Sequence, residues 1–303
     1  MRNGFFKGHG LGNDYVAVDP AELEFRLTPA RIRELCDRNR GVGSDGLLAL
    51  CSSRRADFGV RIFNPDGSEA ERSGNGLRIF ARFLYTTRRT RQTAFRVETR
   101  AGVVGIRLIL DQYGDASSVA VEMGPASFRP DRLPCSLRGA ELVDRPIRVA
   151  GRTLQFTGVS VGNPHCVLFR DRGASWSVAE VRELGPRLEN HRIFPNRCNV
   201  QFAVPTGRQS LFIRIWERGA GETAASGTSA CAVACAAVRR GIAASPVTIR
   251  SPGGALLVRV GGRDTDPFDL TLEGPAAEVM RGKLSPAFVR GLAPRGSTPR
   301  GAR

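Results

Sequence analysis

The chain reads as an α/β protein, α+β in the segregation of its elements, made of two pseudo-symmetric domains in each of which a sheet curls round a central helix. Three observations predict this. Arg61-Ile62-Phe63 recurs as Arg214-Ile215-Trp216, Glu69 recurs as Glu222 and Ser73 recurs as Ser226, all at one constant offset along the sequence. In each copy a strand pattern leads into a glycine-rich turn, Ser73-Gly74-Asn75-Gly76 or Ser226-Gly227-Thr228-Ser229, and a helix follows directly. The second helix, Ser229 to Arg239, is rich in alanine and cysteine, small side chains that permit close packing inside a barrel-like sheet. A chain of 303 residues has room for two such units of about 150 residues each. The expected division is 1–122 plus 272–290 for the first unit and 123–271 for the second. The polar, glycine- and proline-rich tail 291–303 is expected to be disordered.

The elements follow in order. Gly8 to Asp19 begins with a glycine turn and enters the strand pattern Tyr15-Val16-Ala17-Val18. Thr28-Pro29 opens a helix through Asp37, because threonine caps the free N–H groups and proline suits the first helical position. Gly41-Val42-Gly43-Ser44-Asp45-Gly46 is a turn before the buried strand Leu47 to Cys51. Phe58 to Phe63 is a second strand, ended by Asn64-Pro65-Asp66-Gly67. Leu77, Phe80, Ala81 and Leu84 fall at helical spacing from Gly76 to Tyr85. Phe95 to about Glu122 reads as strands with one hairpin turned at Gly114-Asp115. The second half repeats the grammar: strand Phe156 to Val161, turn Gly162-Asn163-Pro164-His165, strand Cys166 to Phe169, and a helix from Ser177 with Glu180 completing a capping box. Strands Val200 to Val204 and Leu211 to Trp216 precede the small-residue helix.

Composition excludes several classes. The longest apolar run, Ala230 to Val238, is far short of the roughly 20 residues a membrane helix needs, and Met1-Arg2-Asn3-Gly4 lacks the apolar core of a signal peptide. No membrane partner and a cytoplasmic location are therefore expected. Cys36, Cys51, Cys135, Cys166, Cys198, Cys231 and Cys235 are an odd, scattered set, which argues against a disulfide framework. Together with His9, His165 and His191 they form no metal-ligand spacing, so no metal is expected. The net charge of +16 rests on 45 basic against 29 acidic residues. The arginines are spread along the chain, not interleaved with aromatics in one stripe, so no nucleic-acid partner is expected. The positive field suits anionic small molecules.

The two glycine turns carry the chemistry. The first N–H groups of a helix lack internal partners and the helix dipole adds positive potential, so each turn is an anion cradle as well as a tight entry into a core helix. In sequence order, His9-Gly10-Leu11-Gly12-Asn13-Asp14, Gly41-Val42-Gly43-Ser44-Asp45-Gly46, Phe63-Asn64-Pro65-Asp66-Gly67-Ser68-Glu69, Ser73-Gly74-Asn75-Gly76, Gly162-Asn163-Pro164-His165-Cys166 and Glu217-Arg218-Gly219-Ala220-Gly221-Glu222-Thr223 resemble the signatures of the diaminopimelate epimerase family. The resemblance implies two α/β domains with the active site in the cleft between them, epimerisation at an amino-acid Cα without pyridoxal phosphate or metal, a small-molecule amino-acid substrate and a homodimer. It also implies two cysteines, one thiolate base and one thiol acid. Here those positions are Ser73 and Ser226.

By match to the family motifs, Asn13, Asn64, Asn163, Asn199, Glu217 and Arg218 hold the substrate's amino and carboxylate groups, while Gly74, Asn75, Gly227 and Thr228 bind the carboxylate at the reacting centre. His165 and Glu217 are the remaining titratable candidates for proton carriers, although a histidine in such a turn is also a common structural hydrogen-bonder. Cys231 is expected to point away from Ser226 around its helix, and Cys166 to face opposite to His165 in its strand. A free thiol near pKa 8.5 is within reach of tuning at a helix terminus, worth about 0.3 to 2 kcal/mol, and an aliphatic hydroxyl is not. Four functions stay open at this point: an epimerase altered to hold substrate, a slow epimerase, an isomerase, lyase or cyclase on another substrate, and a non-catalytic amino-acid binder. The favoured expectation is a cofactor-independent amino-acid isomerase, impaired or redirected by the two serines.

Overall fold

The computed structural model describes residues 1–262 and 267–292. The chain divides into two compact units, 1–103 with the segment from Ala276 onward, and 104–275.

In the first unit β1 (Gly4–Gly10) and β2 (Asn13–Val18) form an antiparallel hairpin. Its turn falls on Leu11 and Gly12, at φ 56 and 92. The expected glycine turn thus falls at Leu11 and Gly12, and Gly8 is a strand position opposite Tyr15. A Cβ on Gly8 would lie 2.8 Å from the Ala277 carbonyl oxygen and 2.9 Å from the Phe6 ring, so glycine is required there by lack of space. Helix α1 (Pro29–Cys36) follows, and the Thr28 hydroxyl accepts from the Arg31 N–H as the cap. Strands β3 (Leu47–Cys51), β4 (Phe58–Phe63) and β5 (Glu69–Ala70) lead into helix α2 (Gly74–Thr86), and β6 (Ala94–Thr99) follows it.

The second unit takes most of β7 (Gly102–Leu110) and then β8 (Ala116–Ala126), β9 (Arg145–Val149), β10 (Arg152–Ser160) and β11 (Pro164–Phe169). Helix α3 (Val178–Glu189) has the expected capping box between Ser177 and Glu180. Strands β12 (Asn199–Gly207), β13 (Ser210–Glu217) and β14 (Gly221–Thr223) precede helix α4 (Gly227–Arg239). Strands β15 (Val247–Ser251), β16 (Gly254–Val260) and β17 (Phe268–Pro275) complete the unit. The chain then returns to the first unit with β18 (Ala277–Lys283), antiparallel to β1, and helix α5 (Pro286–Gly291).

Each unit repeats one pairing scheme. In the first, β2 pairs antiparallel with β1 and parallel with β3, and β4 pairs antiparallel with β3 and β5 and parallel with β6. In the second, β10, β11, β12, β13, β14 and β15 pair in the same order and the same senses. Even the register is copied: Phe63 stands opposite Glu69, and Trp216 opposite Glu222. Arg61 meets Glu69 through two hydrogen bonds of 3.0 and 2.8 Å, and its counterpart Arg214 reaches Glu222 at 3.6 Å.

Each repeat wraps its sheet round its second helix. Strands β8, β10, β11, β12, β15, β16 and β17 all lie against α4, and residues 229–237 of that helix are buried. Alanine and cysteine fill this stretch because a helix enclosed by strands has no room for long side chains. In the first unit α2 lies against β1, β2 and β18, burying Leu77, Ile79, Phe80 and Leu84. The outer face of the second sheet carries α3, whose Val181, Leu184 and Leu188 join Phe156, Phe202 and Trp176 in a separate cluster.

Two expectations are corrected. The segment 104–122 belongs to the second unit, as does 272–275, because β8 pairs with β17 from Ala126 opposite Phe268 to Ser118 opposite Pro275. Gly291 is the last residue of a helix capped by Ser285, whose hydroxyl accepts from the Phe288 N–H at 3.2 Å. The rest of the expected disordered tail, residues 293–303, lies outside the described residues.

Packing of α3 on β13 is close at Gly185, where a Cβ would sit 2.5 Å from the Trp216 ring. Gly185→Ala is expected to lower stability by about 1–3 kcal/mol despite the better helix propensity of alanine, measured by urea unfolding followed by tryptophan fluorescence.

Candidate functional site

Two half-sites form, one at the N-terminus of each central helix. In the first unit Ser73 caps α2: its hydroxyl accepts from the Gly76 N–H at 3.0 Å and from the Tyr15 hydroxyl at 3.2 Å. Gly74 and Asn75, both buried, make the first helical turn. The Asn75 amide donates to the Asn13 side-chain oxygen at 3.2 Å and accepts from the wholly buried Arg78 at 2.6 Å. Asn13 in turn donates to Asp45 at 3.1 Å. The structure therefore brings Asn13, Ser73, Gly74 and Asn75 together. Asn64 is exposed and holds its own turn, donating to the Ser68 hydroxyl at 2.9 Å.

A charge cluster fixes the loops that carry Asn13. Lys7 approaches Asp14 at 3.2 Å and donates to the Gly43 carbonyl at 2.7 Å; Arg38 reaches Asp14 at 2.8 Å and Asp45 at 2.7 Å. Burial alone pushes the Asp14 carboxyl up, but hydrogen bonds from Arg38, Lys7 and the Asp45 N–H outweigh it and hold it below the usual carboxylate range.

In the second unit His165 is completely buried, and both ring nitrogens are taken. Nδ1 lies 2.9 Å from the Gln201 amide nitrogen and Nε2 2.8 Å from the Asn163 side-chain oxygen. The Gln201 amide also donates to the Ser229 hydroxyl at 3.0 Å. This assigns a neutral ring with its proton on Nε2, and burial lowers its pKa to about 3. The geometry is that of a structural hydrogen-bonder; the ring has no nitrogen left to accept a proton. Asn199 is likewise occupied with backbone, accepting from the Arg218 N–H at 3.0 Å and donating to the Pro164 carbonyl at 3.1 Å. Arg218 is exposed, and one guanidinium nitrogen donates to the Asn196 carbonyl at 3.2 Å.

The Glu217 carboxylate accepts from the Thr223 hydroxyl at 2.8 Å; burial raises its pKa, and the Thr223 and Ser226 hydroxyls beside it only partly restore it. Ser226 stands at the cap position of α4 and makes no side-chain cap bond. The first N–H groups of α4, at Gly227, Thr228 and Ser229, therefore keep their donor capacity at the helix mouth. Cys166 and Cys231 are wholly buried, with Cys166 in the α3 cluster on the face away from His165.

Residues 5–129 and 157–279 match the family model described as diaminopimelate epimerase. The chain belongs to the diaminopimelate epimerase family. It is 41% identical over 283 residues to "Diaminopimelate epimerase 2" of a Nostoc species, covering 93% of this chain and 95% of that one. It is 42% identical to the diaminopimelate epimerase of Moorella thermoacetica, covering 92% and 98%. Among solved structures, a hydroxyproline epimerase from Agrobacterium vitis superposes with a TM-score of 0.66 at 15% identity, covering 94% of this chain and 92% of that one. A phenazine biosynthesis protein of the PhzF family from Bacillus anthracis gives 0.63 at 16%, covering 93% and 98%. These two likenesses show the shared fold. By family, the chain is an isomerase of the epimerase and racemase class.

Within this diaminopimelate epimerase family member, Tyr15 and Gln201 of the half-sites lie outside the motifs, while Thr223 and Ser229 lie within them with no role assigned from sequence. Gln201 offered a signal, being the one polar residue in the apolar run Val200 to Val204. Tyr15 offered a fainter one, a hydroxyl at the head of an apolar strand.

The buried His165 makes a pH test. Its folded pKa lies below the unfolded value, so the unfolded chain binds the extra proton and stability is lost as pH falls from about 6.5 toward about 3. Between pH 6.5 and 5, above the carboxylate range, stability of the parent is expected to drop by up to about 1.4 kcal/mol per unit. His165→Gln flattens that interval, as measured by urea unfolding across the pH series.

Proposed function

We propose that this chain is a cofactor-independent amino-acid isomerase that converts LL- to meso-diaminopimelate by proton transfer at Cα, with turnover slowed by its two serines. The uncapped N-terminus of α4 carries the reading: Ser226 stands at its mouth without a cap bond, in a half-site that also holds the Glu217 carboxylate, made more basic by burial. As Ser226 Oγ takes the Cα proton, its own hydrogen passes to Glu217, so no free alkoxide has to form. The N–H groups at the mouth of α4 supply the anion cradle for the substrate carboxylate and for charge developing beside it. Arg218, exposed on the same loop, is the residue to grip a distal carboxylate. Asn163, His165 and Asn199 support this half-site by locking the strands and the loop at Arg218.

The sulfur-to-oxygen exchange sets the rate. A helix N-terminus moves a pKa by at most about one and a half units, enough to ionise a thiol near neutral pH and far too little for an aliphatic hydroxyl. Loss of one well-matched acid or base costs about 10²- to 10⁴-fold.

Incubation with LL-diaminopimelate in heavy water, followed by mass spectrometry of deuterium at Cα, tests the function. Slow exchange is expected in the parent, about 10²-fold or more faster exchange in the Ser73→Cys, Ser226→Cys double variant, and loss of the residual rate in Glu217→Gln. Binding without exchange in parent and double variant alike would make the chain an amino-acid binder. Absence of binding would assign it another substrate.

A further inference from the structure

Arg218 is presented by the hairpin turn between β13 and β14, where the Ala220 N–H donates to the Glu217 carbonyl at 3.1 Å and Gly219 takes φ 81. Positive φ at the third residue alone makes this a type II turn. A Cβ on Gly219 would meet no atom within 4 Å, so conformation and not space calls for glycine. Types I and II differ by a flip of the central peptide, here Arg218 to Gly219, and an exposed turn holds one of them only if that peptide is tied down from outside. Both of its neighbouring N–H groups are tied. Gly219 donates to the Glu189 carboxylate at 2.9 Å, and Arg218 donates to the Asn199 side-chain oxygen at 3.0 Å.

Glu189 joins this turn to a second segment of the same unit. It is the last residue of α3 and only 6% exposed. Its carboxylate also accepts from the Trp216 indole at 2.8 Å and from Arg197 at 3.2 Å, and its backbone carbonyl accepts from the Cys198 N–H at 3.2 Å. One buried side chain therefore holds the stretch before β12 against the end of β13. The Arg218 guanidinium bridges the same two segments, donating to the Asn196 carbonyl at 3.2 Å. The rest of its fork is open among the described residues, and a fork held flat at one corner is ready for a carboxylate.

We propose that Glu189 is the positioning residue for Arg218, and that through it the fold prefers an amino acid with a second carboxylate over one without. The assignment rests on the reading above that Arg218 grips a distal carboxylate. Glu189 acts only through the turn: its carboxylate is filled by Gly219, Trp216 and Arg197 and has no part to offer a ligand. Without it the 218–219 peptide is free to flip and the guanidinium has to be ordered as the ligand arrives, which lowers affinity for the group it meets and for no other.

Titration calorimetry of the full chain with LL-diaminopimelate and with L-lysine, which lacks only the distal carboxylate, reads the preference without needing turnover. Glu189→Gln keeps the size of the side chain and removes its charge and one acceptor oxygen. It is expected to weaken LL-diaminopimelate about tenfold and L-lysine by no more than about twofold. Arg218→Ala should remove the preference, and Glu189→Gln added to it should change nothing further. A preference unchanged in Glu189→Gln, or both ligands weakened equally, overturns the role of Glu189 and leaves Arg218 and the isomerase in place. If the thermal midpoint shows that Glu189→Gln has lost its fold, Gly219→Ala decides: it strains the same turn at an open position, and an unchanged preference there overturns the proposal. A preference intact in Arg218→Ala removes the grip of Arg218 and this assignment with it. No binding of LL-diaminopimelate by the parent overturns the diaminopimelate reading as well.

Discussion

Helix α4 is buried over residues 229–237, and a helix in that position has to be made of small side chains and has to find acceptors for its first N–H groups outside itself. The second unit meets the first demand with alanine and cysteine, and leaves the second open because the Ser226 side chain makes no cap bond. The half-site follows from that choice. An uncapped helix mouth is an anion cradle, and a carboxylate drawn into the same buried corner becomes more basic than usual. The first unit makes the other choice at the equivalent point, where Ser73 caps α2 and is itself hydrogen-bonded by Tyr15.

The polar groups behind each half-site are mechanical. In the second unit Gln201, His165 and Asn163 form a line of hydrogen bonds from Ser229 on α4 to the turn before β11, and Asn199 ties the loop at Arg218 to Pro164. Glu189, at the end of α3, accepts from the Trp216 indole at 2.8 Å and the Gly219 N–H at 2.9 Å, clamping the same loop from its other side. In the first unit Lys7, Arg38, Asp14 and Asp45 do comparable work for the turn at Asn13. Buried charges and amides of this kind hold a geometry because each has its partners, and removing one leaves the other uncompensated.

The duplication is what made the fold readable. Strand, glycine turn and helix recur with the same residues, and the structure repeats the pairing scheme down to the Phe63–Glu69 and Trp216–Glu222 register. Helix starts were legible where a capping residue and a proline or glutamate marked them, as at Thr28 and Ser177. The boundary between units was not, because β8 and β17 are far apart in sequence and only their pairing shows that they share a sheet. The need for glycine at position 8 was not legible for a related reason: it comes from Phe6 and the Ala277 carbonyl, and sequence distance hides the second of these.

By itself the sequence determined the family, the two helix mouths and the presence of oxygen where sulfur is expected, because these are properties of residues and short spacings. Tertiary structure decided what each group is free to do. His165 has no nitrogen to spare because Gln201 and Asn163, one of them on another strand, occupy both. Ser73 and Ser226 stand at the same point of the two repeats, yet the first caps its helix and accepts from Tyr15 while the second makes no cap bond. Hydrogen-bond state depends on which neighbours the fold delivers, and for Tyr15 that neighbour is set by a strand pairing and by the space over Gly46.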